Sequence, residues 1–258
     1  MKDTKELVEY LIHKSEVKIN REFIKIALLG FMAGALIALG SVGNIVASAN
    51  LYKVDPGFAK FIGASVFPVG LIVIVLLGYD LYTSSCMGIV SVFDKKEKLS
   101  KYIVNILVVL FFNFIGCLFI AYITVRTHTL SEEGKQLLFN MAAHKVHASA
   151  YEIFLKGILC NVLVCAATII SYGTKDSIGK IFGVWFPIML FIILGYDHIV
   201  ANMLYLPAAY MLNSGISILE ILHNFLFAGI GNLVGGAFFI VLPLYIAAKN
   251  LGENNAKN

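Results

Sequence analysis

The run Gly195-Tyr-Asp-His-Ile-Val-Ala-Asn-Met203 sits inside an otherwise apolar stretch and sets Asp197, His198 and Asn202 among Leu, Ile, Val and Phe. An earlier run echoes it: Gly78-Tyr-Asp-Leu-Tyr-Thr-Ser-Ser-Cys-Met87. Each follows a Phe-Pro pair, Phe67-Pro68 and Phe186-Pro187. In lipid an interrupted backbone and an ionisable side chain are tolerated only where they face protein or a water-filled cavity. Two broken membrane helices facing one another across a small passage, with His198 at its middle, satisfy that condition.

Composition supports the membrane reading. The 258 residues are 59% hydrophobic and 14% charged, against about 25% charge in a soluble domain. The net charge of +4 carries no nucleic-acid signature. Cys86, Cys117, Cys160 and Cys165 lie in apolar runs without CxxC spacing and read as buried free thiols. The first 22 residues mix both charge signs and do not form a cleavable signal; Leu7, Tyr10, Leu11 and Val17 share a face, which predicts an amphipathic helix on the membrane surface over 1–22.

A span needs about 20 apolar residues. The candidates are Phe23 to Ala49, Ala59 to Leu77 resuming at Cys86 to Phe93, Tyr102 to Val125, Ile153 to Ser171, Ile178 to Leu194 resuming near Ile199, and Ile221 to Ala248. Lysine and arginine divide 14 against 5 between the two sets of connections, which predicts both termini in the cytoplasm. The halves repeat. Asn44 and Asn161 share the separation of Asp80 and Asp197, and Asn113-Phe-Ile-Gly116 is answered by Asn232-Leu-Val-Gly235 at nearly the same one. Three spans per half force the second copy to insert upside down. The predicted fold is an all-α membrane protein of six transmembrane helices, a 3+3 inverted repeat whose second and fifth helices are broken, with the pathway at the repeat interface. Repeat one covers about 23–125 and repeat two about 146–248 of a channel domain 23–250, and 251–258 is a cytoplasmic tail. Gly30-x-x-x-Gly34, Gly40, Gly43, Gly229, Gly231, Gly235 and Gly236 predict close helix packing.

Gly195-Tyr-Asp-His-Ile-Val-Ala-Asn-Met-x-x-x-Pro207 resembles the signature of the formate/nitrite transporter family, where Gly-Phe-Glu-His is usual. Asp80-Leu-Tyr-Thr-Ser84 resembles its partner loop, usually Glu-Leu-Phe-Thr-Ser, and Lys145-Val-His147 followed by Asn161 resembles its lysine segment. The resemblance implies an aquaporin-like protomer of a homopentamer in a prokaryotic plasma membrane, passing a small monovalent anion: formate, nitrite or hydrosulfide. Asp at 80 and 197 and Tyr at 82 and 196 depart from the usual pattern and look more like the hydrosulfide-channel branch.

An anion crossing a dry constriction loses its hydration, and a fixed cation strong enough to offset that loss would also trap the ion. A lent proton avoids both difficulties. His198, with an ordinary pKa of about 6.5, is the candidate to lend it, and Thr83 is its partner on the first break. Lys145 is placed at the external vestibule, where its charge would concentrate anions. Asn161 would line the pore or satisfy a backbone group freed at the opposite break. Phe67, Leu71, Tyr82, Phe191 and Leu194 are the constriction candidates, and Phe67 and Phe191 match the family's aromatic positions by offset. Asp80, Asp197 and Asn202 are assigned to holding the loops, the carboxylates through backbone N–H groups. Glu220 and His223 are read as anchors for the end of the last span. A proton–anion symporter using the same pore is the alternative. No Asn-Pro-Ala pair points to a water pore, no HExxH or GxSxG to an enzyme, and neither a cofactor nor a metal set is expected.

Overall fold

The computed structural model describes residues 2–255. Helix α1 (Thr4–Ile19) begins with a capping box between Asp3 and Glu6. Its buried face is Leu7, Val8, Leu11, Ile12, Ser15 and Ile19. Leu7, Val8, Leu11 and Ile12 share a cluster with Met87, Val90, Cys165, Val241 and Ala248, so the helix docks on its own chain. Val17, expected on the apolar face, is 48% exposed, because a stripe at helical spacing runs one step round from it.

Helix α2 (Phe23–Ser48) continues into a 3-10 turn, Ala49–Lys53. After it come α3 (Pro56–Val66), α4 (Val69–Leu77), the short pieces α5 (Tyr82–Ser85) and α6 (Val90–Phe93), and the long α7 (Leu99–Arg126). Phe67-Pro68 separates α3 from α4, because proline removes a helical N–H and its ring crowds the preceding turn. Pro187 leaves α10 (Ser177–Ile193) unbroken. The second half holds α8 (Glu132–Val146), α9 (Ala150–Gly173), α10, α11 (Ile199–Met211), α12 (Ile218–Val234) and α13 (Leu242–Asn255), with a π-helical stretch Gly235–Val241 joining the last two. The expected tail 251–258 begins as the end of α13, and 256–258 lie outside the described residues.

Five stretches are long and apolar enough to cross a bilayer: Phe23–Lys53, Pro56–Leu77, Leu99–Arg126, Ala150–Gly173 and Ile218–Lys249. The fifth span, predicted as broken, is a 17-residue helix, α10, followed by the break and the 13-residue α11, each shorter than a full crossing. Helices α2 and α7 form one closely packed pair, and α9 and α12 another. A Cβ on Gly34 would meet the Asn113 carbonyl oxygen at 2.0 Å, and one on Gly235 the Ile158 carbonyl oxygen at 2.3 Å. Only glycine permits backbones that close.

Helix α8 was not expected in the polar stretch after α7. Ser131 caps it, Glu132 and Glu133 occupy its first turn, and His144 and Lys145 its last, which matches the helix dipole. It buries Leu138, Ala142 and Val146 and carries Lys145 to the second break.

Candidate functional site

Both breaks are made the same way. Gly78 (φ 75°) and Gly195 (φ 69°) adopt the left-handed conformation that ends a helix. The next residue closes the turn, Tyr79 N–H onto the Ile74 carbonyl at 3.0 Å and Tyr196 N–H onto the Phe191 carbonyl at 3.1 Å. An asparagine from a neighbouring helix then clamps each loop. Asn113 accepts from Tyr82 N–H (2.8 Å) and donates to the carbonyls of Asp80 (2.9 Å) and Gly30 (2.8 Å). Asn232 accepts from Ile199 N–H (2.9 Å) and donates to the carbonyls of Asp197 (2.8 Å) and Gly157 (2.8 Å). Both side chains are fully buried and use all the main donor and acceptor sites of an amide.

The two aspartates are held by cations, not by the backbone amides expected for them. Asp197 meets Lys145 at 2.8 Å, with both side chains largely buried. Asp80 meets Lys18 at 2.9 Å and is also bonded by Arg21. Burial alone would lower the Lys18 ammonium, but Tyr172 and Asp80 more than offset it and hold it above the ordinary lysine value. An ionic side chain out of water needs a partner within contact distance, and a long lysine from an adjacent helix supplies a full charge there. Asn202 donates to Asp197 (3.0 Å) and to Asn224 (2.7 Å), and Asn224 returns to the Lys145 carbonyl (2.9 Å), closing a ring through α8, the loop, α11 and α12. The first half answers with Asn105, which donates to the Lys18 carbonyl at 3.3 Å.

His198 caps α11. Its Nδ1 accepts the Ala201 N–H at 3.1 Å, so in the neutral ring the proton sits on Nε2. Nε2 lies 3.0 Å from Thr83 Oγ1, the contact that joins the two breaks. With Nε2–H donating, the Thr83 hydroxyl hydrogen is left for a third partner. Both side chains are buried, and the imidazole lies against Phe191 (centroids 5.7 Å apart, planes at 18°), which meets Phe67 edge-on at 5.6 Å.

A cavity of about 870 Å³ reaches this point, with Lys145, Asp197, His198, Phe191 and Asn202 in its wall. Asn202 Oδ1 and the Tyr205 hydroxyl, at the same wall, have no hydrogen-bond partner among the described residues. Of the sequence candidates, His198, Thr83, Phe67 and Phe191 come together. Asn161 is fully buried and donates to the Thr83 carbonyl (3.1 Å) and the Asn232 carbonyl (2.5 Å), so it secures the backbone behind Thr83. Leu71 is buried in the main core. Tyr82 turns away, its hydroxyl donating to the Gly229 carbonyl at 3.1 Å, because a buried phenol needs an acceptor. Leu194, the residue that caps the end of α10, is 47% exposed and lines the cavity wall. Glu220 completes a capping box with Ser217. Lys18, Arg21, Asn105 and Asn224 were missed. The last two are signalled by being amides within apolar spans, eight residues before Asn113 and Asn232 and so on nearly the same helix faces.

A bundle of membrane-length helices with two clamped breaks meeting at a histidine below a cavity defines a membrane transport protein, not a scaffold of packed spans. The chain belongs to the formate/nitrite transporter family, whose model matches residues 5–246. It is 38% identical over 245 residues to the uncharacterized transporter YrhG of Bacillus subtilis (strain 168), covering 94% of this chain and 92% of that one. It is 34% identical to the formate channel BtFdhC of Bacillus thuringiensis, covering 98% and 97%. Among solved structures, an FNT family ion channel superposes with a TM-score of 0.83 at 24% identity (95% and 98% covered), a likeness of fold. A pentameric formate channel with formate bound gives 0.79 at 25% identity (87% and 97% covered).

Proposed function

We propose that the chain is one protomer of a homopentameric channel for small monovalent anions, with formate first among them, and that His198 and Thr83 act as one hydrogen-bonding unit at the point of passage. The carrying observation is the 3.0 Å contact between Thr83 Oγ1 and His198 Nε2, which ties two oppositely derived helix breaks together at the foot of the cavity. The matched clamps of Asn113 and Asn232 and the matched pairs Lys18–Asp80 and Lys145–Asp197 support a 3+3 inverted repeat that takes in α1 and α8 as well. The resulting membrane is the bacterial plasma membrane, with both termini cytoplasmic.

The neutral ring polarises the Thr83 hydroxyl, whose hydrogen is then a donor for a passing oxyanion. To lend a whole proton, His198 must first be doubly protonated and release the Ala201 N–H, giving up a cap interaction worth about 1 kcal/mol. That loss adds to the larger cost of charging a buried ring, which a passing anion beside it would have to offset. Hydrosulfide loses ground for a physical reason. Asp80 and Asp197 are paired with cations and the Tyr82 hydroxyl is bound to backbone, so the polar groups of three of the four departures from the usual motif are already engaged within the protein. Tyr196 and Asp197 line the cavity. Flux of formate, nitrite and hydrosulfide into proteoliposomes tests the reading, with His198→Phe alongside. Formate should pass, and the variant should lose most of that flux. A variant that conducts like the parent across pH 5–8 would refute the role of the imidazole, and a reversal potential that follows the proton gradient would replace the channel with a symporter.

A further inference from the structure

A second cavity, of about 500 Å³, lies between α1 and the turn from α9 to α10, beside the first break at Leu77 and Gly78. Lys2, Lys14, Lys175 and Lys180 line it together with Tyr10 and Tyr172. None of these four lysines forms an ion pair among the described residues. The nearby acids are committed elsewhere: Glu6 to the α1 capping box, Asp176 to capping α10, and Asp80 to Lys18 and Arg21. The Lys2 ammonium stands 3.3 Å over the Tyr10 ring and that of Lys14 3.8 Å over the Tyr172 ring, so aromatic faces, not carboxylates, receive them. The two rings meet edge to face at 5.5 Å, and the Lys2 backbone N–H is tied to the Gly173 carbonyl at 3.0 Å. Burial, with Lys18 and Arg21 nearby, pushes the Lys14 pKa down to about 8. The same surroundings repel a like charge and would welcome an opposite one.

We propose that this cavity binds a phosphate-bearing anion with two or more negative charges, held by Lys2, Lys14, Lys175 and Lys180 between the rings of Tyr10 and Tyr172. A single monovalent ion would leave most of the positive charge uncompensated, whereas the cavity volume falls within the range of about 300–1,000 Å³ that holds a small organic ligand. Lysine binds phosphate as a point charge, which suits four flexible stems converging from two elements. The ligand would bridge α1 to the α9–α10 turn against the Gly78 break. A free phosphorylated metabolite and the headgroup of a lipid with two phosphates offer the same chemistry, and the exposed Leu76 and Leu77 beside the cavity leave lipid access open.

The test is calorimetric titration of the full-length protein in non-ionic micelles with inorganic pyrophosphate, beside hydrogen exchange of α1 in nanodiscs of phosphatidylcholine with and without cardiolipin, whose headgroup carries two phosphates. Neither arm measures flux, so the result is separate from events at His198. Pyrophosphate should bind, the double variant Lys14→Gln/Lys175→Gln should weaken it by at least about tenfold, and Lys14→Arg/Lys175→Arg should retain it, which also controls for folding. Lysine-dependent protection of α1 by cardiolipin without pyrophosphate binding would assign the site to a lipid headgroup. Pyrophosphate binding that survives the glutamine variant, or no lysine-dependent response in either arm, would overturn the proposal.

Discussion

Replacing Asn232 with leucine, a side chain of similar size, removes the amide that holds the second break to its neighbours. It leaves Ile199 N–H and the carbonyls of Asp197 and Gly157 without the partners they now have at 2.8 to 2.9 Å. Each stranded buried group costs about 1–3 kcal/mol, so the loss of three partners should destabilise the protein by about 3–9 kcal/mol, against a typical domain stability of about 5–15 kcal/mol. Asn232→Asp sharpens the test. A carboxylate still accepts from Ile199 N–H but turns an acceptor toward two carbonyl oxygens, so it should cost at least as much as leucine. The first break supplies a matched comparison in Asn113→Leu, which loses the same kinds of bonds. Denaturant titration in mixed micelles measures the stability, and formate flux reports whether His198, the residue before Ile199, is still in place. If Asn232→Leu and Asn232→Asp both unfold within about 0.5 kcal/mol of the parent, the range of an ordinary surface change, the clamp has no energetic role and the reasoning fails.

Lys145→Met and Asp197→Asn should each cost about 3–5 kcal/mol by stranding a buried charge, while the double variant should cost less than their sum; additive losses in the same titration would show the pair to be uncoupled. Thr83→Val should lose most anion flux and Thr83→Ser should keep most of it, since only the hydroxyl reaches His198; equal currents through both would remove Thr83 from the passage. The folded-state pKa of Lys14 lies near 8, below its ordinary 10.5, so the charged form weighs on the docked α1 in full below pH 8 and the burden fades as pH rises toward 10.5. Thermal stability should therefore rise across that window, and Lys14→Met should flatten the rise.

The breaks were legible because lipid makes polar residues conspicuous. Asp80, Asp197, His198 and Thr83 stand out in apolar runs, and the repeated spacing of Asn113 and Asn232 marked both clamps before their roles were visible. What escaped was anything supplied by charged, surface-like helices. Lys18 and Arg21 belong to α1, where mixed charge reads as a solvated face, and nothing in their local pattern says that a carboxylate waits behind them. Helix α8 hid in a polar stretch for the same reason, so Lys145 looked like a loop residue near the pore and not the partner of Asp197. Tyr82 carries a bond that its position in the chain does not announce. It sits beside Thr83 in the chain, and its buried hydroxyl finds an acceptor in the Gly229 carbonyl on α12, which only the folded structure brings near.

The Ala201 N–H on His198 Nδ1 has a consequence for energy conservation. A chain of water and side chains conducts hydrogen ions only if each member can take one on one side and release another on the far side. While the cap holds, an imidazole whose inner nitrogen is bound to backbone has a single working face, so the ring does not relay hydrogen ions by such hopping. A membrane that lives on its proton gradient can then carry many copies of this pore without being short-circuited through its central residue.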